Sequence, residues 1–219
     1  MIPLRDDIPA SRFPAATLAI IGLNALVFFQ ELRLGPGLQD FLLSHGVIPA
    51  RLSVTPFFTS MFLHGGWLHL IGNMWTLWIF GDNVEDRLGR LRYIGLYLVG
   101  GLAAAILHVI TNAGSPVPTL GASGAIAAVM GAYFRFYPFA RVETLIPPFF
   151  FGPTFVLPAV LFLGWWFLLQ FFNGTLSLGV RGEGFSGVAW WAHVGGFLFG
   201  LVACLPAKRR RTRLAVIDV

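Results

Sequence analysis

Four side chains are of the types, and stand in the places, to share one piece of chemistry. Ser123 lies in Gly121-Ala122-Ser123-Gly124, where a very apolar run begins. His193 stands near the start of the last apolar run, and His69 and Asn73 sit four residues apart in the second. A serine hydroxyl becomes a nucleophile when a base takes its proton, and histidine, with an ordinary pKa near 6.5, can do so at neutral pH. No acidic residue occurs at the same depth to orient the imidazole, so a Ser123–His193 dyad is expected and not a triad. His69 and Asn73, at i and i+4, share a helix face and both can donate hydrogen bonds. Together with the backbone N–H of Ser123 they would form an oxyanion site, because N–H groups at a helix start are unpaired and carry partial positive charge.

The composition says what surrounds these residues. Of 219 residues, 56% are hydrophobic and only 11% charged, where a soluble domain carries about a quarter charged residues. The chain is an integral membrane protein, and the lipid bilayer is its first partner. An isoelectric point near 10.1 could suggest nucleic acid, but the basic residues cluster at the ends of apolar runs, where membrane topology calls for them. No nucleic-acid partner is expected. One cysteine, Cys204, excludes an intramolecular disulfide. The first apolar run has no small-residue cleavage site after it and reads as a retained helix.

Six apolar runs stand out, at about 14–32, 66–80, 93–110, 123–137, 149–172 and 188–205. The expectation is an all-α membrane protein, a six-transmembrane-helix bundle spanning 14–206. A cytoplasmic segment (1–13) precedes it and a basic cytoplasmic tail (207–219) follows. Six crossings put both termini on one side, which then holds every Lys and Arg except Arg33, Arg51 and Arg181. That bias makes both ends cytoplasmic. Mid-membrane carboxylates, the usual mark of proton pumps and cation transporters, are absent from the runs.

Depth tests whether the four side chains can meet. At 1.5 Å per residue, Ser123 lies roughly 18 Å above Arg135, His69 roughly 20 Å and Asn73 roughly 14 Å above Asp82, and His193 roughly 22 Å above Lys208. These counts fall in one layer, about 10 Å below the outer surface of a hydrocarbon core about 30 Å thick. The fourth run is too short to span and must start inside the membrane. The segment 112–121 then enters without helical hydrogen bonds, which is tolerated only beside protein or a water-filled cavity. Small residues at Ser123, Ala127 and Gly131, and at Gly196 and Gly200 on the face of His193, let two helices approach closely. His64 counts to roughly 27 Å, near the outer surface, and is expected to hold the first outer loop. His108 and His45 read as structural or solvated.

With these residues in view, the chain resembles the rhomboid intramembrane serine proteases. His64-Gly-Gly-Trp-Leu-His69-Leu-Ile-Gly-Asn73 is similar to the family's His-x4-His-x3-Asn, and Gly121-Ala-Ser123-Gly124 to its Gly-x-Ser-Gly. Ala192-His193-x-x-Gly196-x-x-x-Gly200 is similar to its Ala-His-x-x-Gly-x-x-x-Gly, and Val84-Glu85-x-x-Leu88-Gly89 to the segment after its second helix. The resemblance runs from about residue 59 to 200. It implies a rhomboid-like bundle with a short fourth helix, with Ser123 as nucleophile, His193 as base, and His69 and Asn73 in the oxyanion site. His64, Gly121, Gly124, Gly196 and Gly200 would support them structurally. It further implies cleavage of transmembrane protein substrates near small residues, lateral substrate entry by the second and fifth helices, and no metal or other cofactor. By analogy the membrane would be a bacterial plasma membrane.

Two departures stand against the pattern. Some members carry a tyrosine four residues after the serine, packed on the catalytic histidine, and here that position is Ala127. The Trp-Arg pair of many first outer loops is absent between residues 34 and 59. Two other readings stay open at this point: a catalytically silent relative that binds transmembrane clients, and a channel or metal transporter using His64, His69 and His193.

Overall fold

The computed structural model describes residues 1–145, 154–179 and 188–204. Among these residues the chain is a helical membrane bundle. The helices are α1 (Ala15–Arg33), α2 (Leu38–His45), α3 (Val54–Thr59), α4 (Trp67–Leu88), α5 (Arg90–Thr111), α6 (Ser123–Phe136), α7 (Ala159–Gly179) and α8 (Trp190–Ala203). Three of them, over Ala15–Arg33, Arg90–Thr111 and Ala159–Leu178, are long and apolar enough to cross a membrane. Trp78 on α4, Val99 on α5 and Phe172 on α7 remain exposed, as side chains facing lipid do.

α6 is the core. Every residue from Gly124 to Tyr133 is buried, and α8, α5 and α4 pack around it. Small side chains make this possible. A Cβ on Gly196 would overlap the carbonyl oxygen of Gly124, and one on Gly200 the carbonyl oxygen of Ala128, so α6 and α8 meet backbone to backbone. In lipid no hydrophobic drive separates helix–helix from helix–lipid contact, and such close approach supplies the dispersion energy that holds a pair together.

α4 runs to Leu88, eight residues beyond the apolar stretch that suggested it. The extra turns are polar but buried with a purpose. Glu85, 4% exposed, accepts hydrogen bonds from the backbone N–H groups of Ala16 (3.0 Å) and Thr17 (2.8 Å) and from the Thr17 hydroxyl (2.8 Å). Pro14 gives α1 no side-chain cap, so Glu85 serves as that cap from another helix, a carboxylate at the positive end of the macrodipole. Glu85→Ala is expected to lower stability by about 1–3 kcal/mol, the cost of leaving buried donors unpaired. Thermal unfolding in detergent measures this, with Glu85→Gln falling between the two.

The fifth apolar run corrects the expected boundary. A helix was expected from 149, but α7 begins at Ala159 and Phe155–Pro158 form strand β3. Pro158 lacks the N–H a continuing helix needs; residues 149–153 lie outside the described residues. β3 pairs antiparallel with β2 (Arg141–Leu145), which pairs antiparallel with β1 (Ile2–Asp6). The N-terminal segment thus supplies an edge strand to a three-stranded sheet. Arg5 Nε lies 2.6 Å from Glu143 Oε2, Trp75 Nε1 of α4 donates to the Pro3 carbonyl at 2.6 Å, and the Tyr133 hydroxyl donates to Asp6. Burial pushes the Asp6 carboxyl up to about 6, against the lowering effect of that hydroxyl. The tail at 207–219 lies outside the described residues.

Candidate active site

The serine arrives on a loop whose backbone is satisfied by the segment between α1 and α4. Val47 and Thr119 exchange both N–H···O bonds (2.9 and 2.7 Å), Ala50 N–H reaches Ser115 O at 2.9 Å, and Gly121 N–H reaches Ser60 O at 2.8 Å. The irregular stretch 112–121 is therefore paired with protein, which is one of the two settings in which such backbone is stable in a membrane. His108 belongs to the same support, with Nε2 2.7 Å from the Thr119 hydroxyl. His45 is bonded to the Phe41 carbonyl of its own helix at 2.9 Å and takes no part.

Gly121 has φ of +125°, a backbone conformation closed to most side chains. A Cβ there would stand 2.7 Å from the His69 ring and 3.7 Å from Ser123 Oγ. The glycine is thus what allows His69 and the serine to flank one another. α6 opens at Ser123 with Ala122 at its N-cap and no side-chain cap. The Ile126 N–H to Ala122 O bond (2.9 Å) starts the ladder, leaving the N–H groups of Ser123, Gly124 and Ala125 without helical partners.

Ser123 Oγ and His193 Nε2 lie 2.8 Å apart. The close crossing of α6 and α8 at Gly196 and Gly200 delivers the histidine. Its other nitrogen, Nδ1, lies 2.8 Å from Gln170 Oε1 on α7. The ring is flanked by Trp166 (centroids 5.7 Å, 34° between planes) and Trp190 (6.4 Å, 87°). These side chains occupy the role that the residue at 127 cannot fill, since Ala127 is buried against the α6–α8 crossing.

Asn73 lines a cavity of about 230 Å³ together with Ser123, His193, Phe162, Trp166 and Met1. Its Nδ2 lies 3.1 Å from His64 Nε2, and the His64 and His69 rings meet edge to face at 5.1 Å. His64 is 2% exposed. Its backbone N–H is held by the carboxylate of Glu31 (3.2 and 3.3 Å), itself buried at the end of α1. One hydrogen of the Asn73 amide is thereby spent on His64, which leaves the second.

The arrangement can activate a hydroxyl at Ser123 and offer N–H donors beside it. Ser123, His193 and Asn73 line one cavity, and the His69 ring lies beside Gly121, two residues before the serine. Gln170, Trp166 and Glu31 were missed. Gln170 is a lone amide inside the fifth apolar run, and an amide can orient an imidazole as an acid can. Among the described residues, no group of three His, Cys, Asp or Glu could hold a metal ion.

A helical membrane bundle carrying this Ser–His pair on facing helices defines a class. The sequence matches the Rhomboid domain over residues 51–210, and the chain belongs to the rhomboid family. It is 31% identical over 178 residues to "Presenilin-associated rhomboid-like protein A, mitochondrial" of Danio rerio, covering 76% of this chain and 41% of that protein. With the Mus musculus "Presenilin-associated rhomboid-like protein, mitochondrial" it shares 30% identity over 194 residues, 83% of this chain and 46% of the relative. "Rhomboid protein 1, mitochondrial" of Saccharomyces cerevisiae is 28% identical over 137 residues, 59% of this chain and 39% of the relative. The chain spans less than half the length of these relatives.

Proposed function

We propose that the chain is a serine-type endopeptidase that hydrolyses peptide bonds in or beside transmembrane segments. The observation that carries this reading is the 2.8 Å pairing of Ser123 Oγ with His193 Nε2 at the uncapped start of a buried helix. Ser123 Oγ attacks the carbonyl carbon while its proton passes to His193 Nε2. The carbonyl oxygen becomes an oxyanion, held by the Ser123 N–H, the free Asn73 amide hydrogen and His69. His193 then gives its proton to the leaving amine, the C–N bond breaks, and an acyl-enzyme remains on Ser123. Water, deprotonated by the same histidine, hydrolyses that ester.

The substrates are transmembrane proteins, entering between α4 and α7, whose Thr76 and Phe80 and whose Phe162 and Trp166 line the cavity. Six crossings, by α1, α4, α5, α6, α7 and α8, put both termini on the cytoplasmic side, as the charge bias requires. The membrane in this reading is a bacterial plasma membrane; the names of the three relatives above place them in mitochondria, whose rhomboids would act in a different membrane.

Incubating purified protein with a transmembrane peptide and analysing the products by mass spectrometry tests the function. Two fragments from wild type and none from Ser123→Ala are expected; cleavage by Ser123→Ala would sink the reading. Wild type that binds the helix without cutting it would make the chain a client-binding rhomboid. Asn73→Ala is expected to lower kcat by about 10²–10³ with little change in KM, the usual effect of one lost oxyanion donor.

A further inference from the structure

We propose that Gln170 is a positioning residue for His193, fixing the tautomer in which Nδ1 carries the proton and Nε2 is bare to receive the proton of Ser123. The inference rests on the reading of Ser123 and His193 as the catalytic pair. Gln170 lies on α7, is 6% exposed, and presents Oε1 to His193 Nδ1 at 2.8 Å.

An amide alone is an ambiguous partner, since it can offer either oxygen or NH2. Presenting NH2 would hold the imidazole in the wrong tautomer, with the proton on Nε2, and would remove the base from Ser123. A third atom settles the ambiguity. Gln170 Nε2 donates to the Trp166 carbonyl oxygen, one turn earlier on α7, at 3.1 Å. That bond turns Oε1 toward the histidine. Oε1 is acceptor-only, so Nδ1 must be the donor and Nε2 the acceptor.

A neutral amide also suits the location. A carboxylate here would be a buried charge in a membrane bundle, costly unless fully paired. Gln170 orients the ring without carrying a charge of its own. Trp166 contributes twice, through its carbonyl to Gln170 and through its indole against the His193 ring. Because both residues stand on α7, the histidine on α8 keeps its orientation only while α7 lies against α8.

The test uses the full chain in detergent micelles with 15N-labelled histidine. His193 resonances are assigned by their loss in His193→Asn. In wild type, Nδ1 is expected at the shift of a protonated ring nitrogen and Nε2 at that of a bare one. In Gln170→Leu, which keeps an apolar side chain on α7, the two shifts should move toward each other as tautomers mix. Turnover should fall about 10²-fold in kcat with KM changed less than about twofold, below the roughly 10⁴-fold loss when a wrong tautomer is enforced. Gln170→Glu restores an acceptor and should return kcat to within a few-fold.

An unchanged Nδ1–H tautomer in Gln170→Leu, or kcat within twofold of wild type, would overturn the proposal. Should Gln170→Leu fail to fold, Gln170→Met takes its place, and an unchanged tautomer or kcat within twofold of wild type overturns the proposal in the same way. If wild type cuts nothing and takes no fluorophosphonate, it is the protease reading that has failed. The nitrogen shifts then still report whether Gln170 sets the tautomer.

Discussion

Ser123→Ala and His193→Ala are each expected to lower peptide hydrolysis by at least about 10⁴-fold and to abolish labelling by a fluorophosphonate, with unfolding temperatures close to wild type. The small structural effect follows from the position of both side chains. Each lines the cavity, so truncation enlarges a space already present, and each substitution removes the bond between them. The large chemical effect follows from their dependence on one another. A serine without its base is a weak nucleophile, and a base without the serine has no proton to take. The double variant should therefore be no worse than either single one, since groups that act as a unit do not add. Additive losses would mean that the two contribute separately, and the dyad would have to be given up.

The second large effect is on folding. Gly200→Ala adds a single methyl group, yet that methyl would overlap the carbonyl oxygen of Ala128 on α6. Backbone cannot move aside as a flexible side chain would, so α8 must shift and the crossing must open. We expect a loss of about 2–4 kcal/mol, read as a lower midpoint in thermal unfolding. Gly95→Ala on α5 is the control, because a Cβ there meets nothing within 4 Å, and it should change stability by less than about 1 kcal/mol. Activity of Gly200→Ala should fall further than its folded fraction. The same crossing sets the Ser123–His193 distance, and a shift of about 1 Å is enough to cost two orders of magnitude.

The reasons why some of this was legible in the chain lie in the physics of membranes. Helix rise and hydrocarbon thickness fix depth, so Ser123, His193, His69 and Asn73 could be put in one layer by counting residues. Glycines at Gly196 and Gly200 announce close approach because little else packs helices in lipid. What counting could not supply was rotation and neighbourhood. Gln170 sits on a helix whose facing was hidden by apolar residues on every side. The polar continuation of α4 past 80 was hidden for a different reason: Glu85 is buried by its role as a cap on another helix, and no local pattern announces a partner 68 residues away. The strand character of 155–158 came from pairing with β2, a tertiary choice that overrode an apolar run.

The placement of β1 has a practical side. Met1 and Pro3 line the same cavity as Ser123 and His193, and Trp75 holds the strand there through the Pro3 carbonyl. An affinity handle or fluorescent protein joined ahead of Met1 would begin at the lining of that cavity, beside the entry proposed between α4 and α7. A preparation tagged in that way would measure its own obstruction, and an inactive result from it would say nothing about the chemistry of the serine.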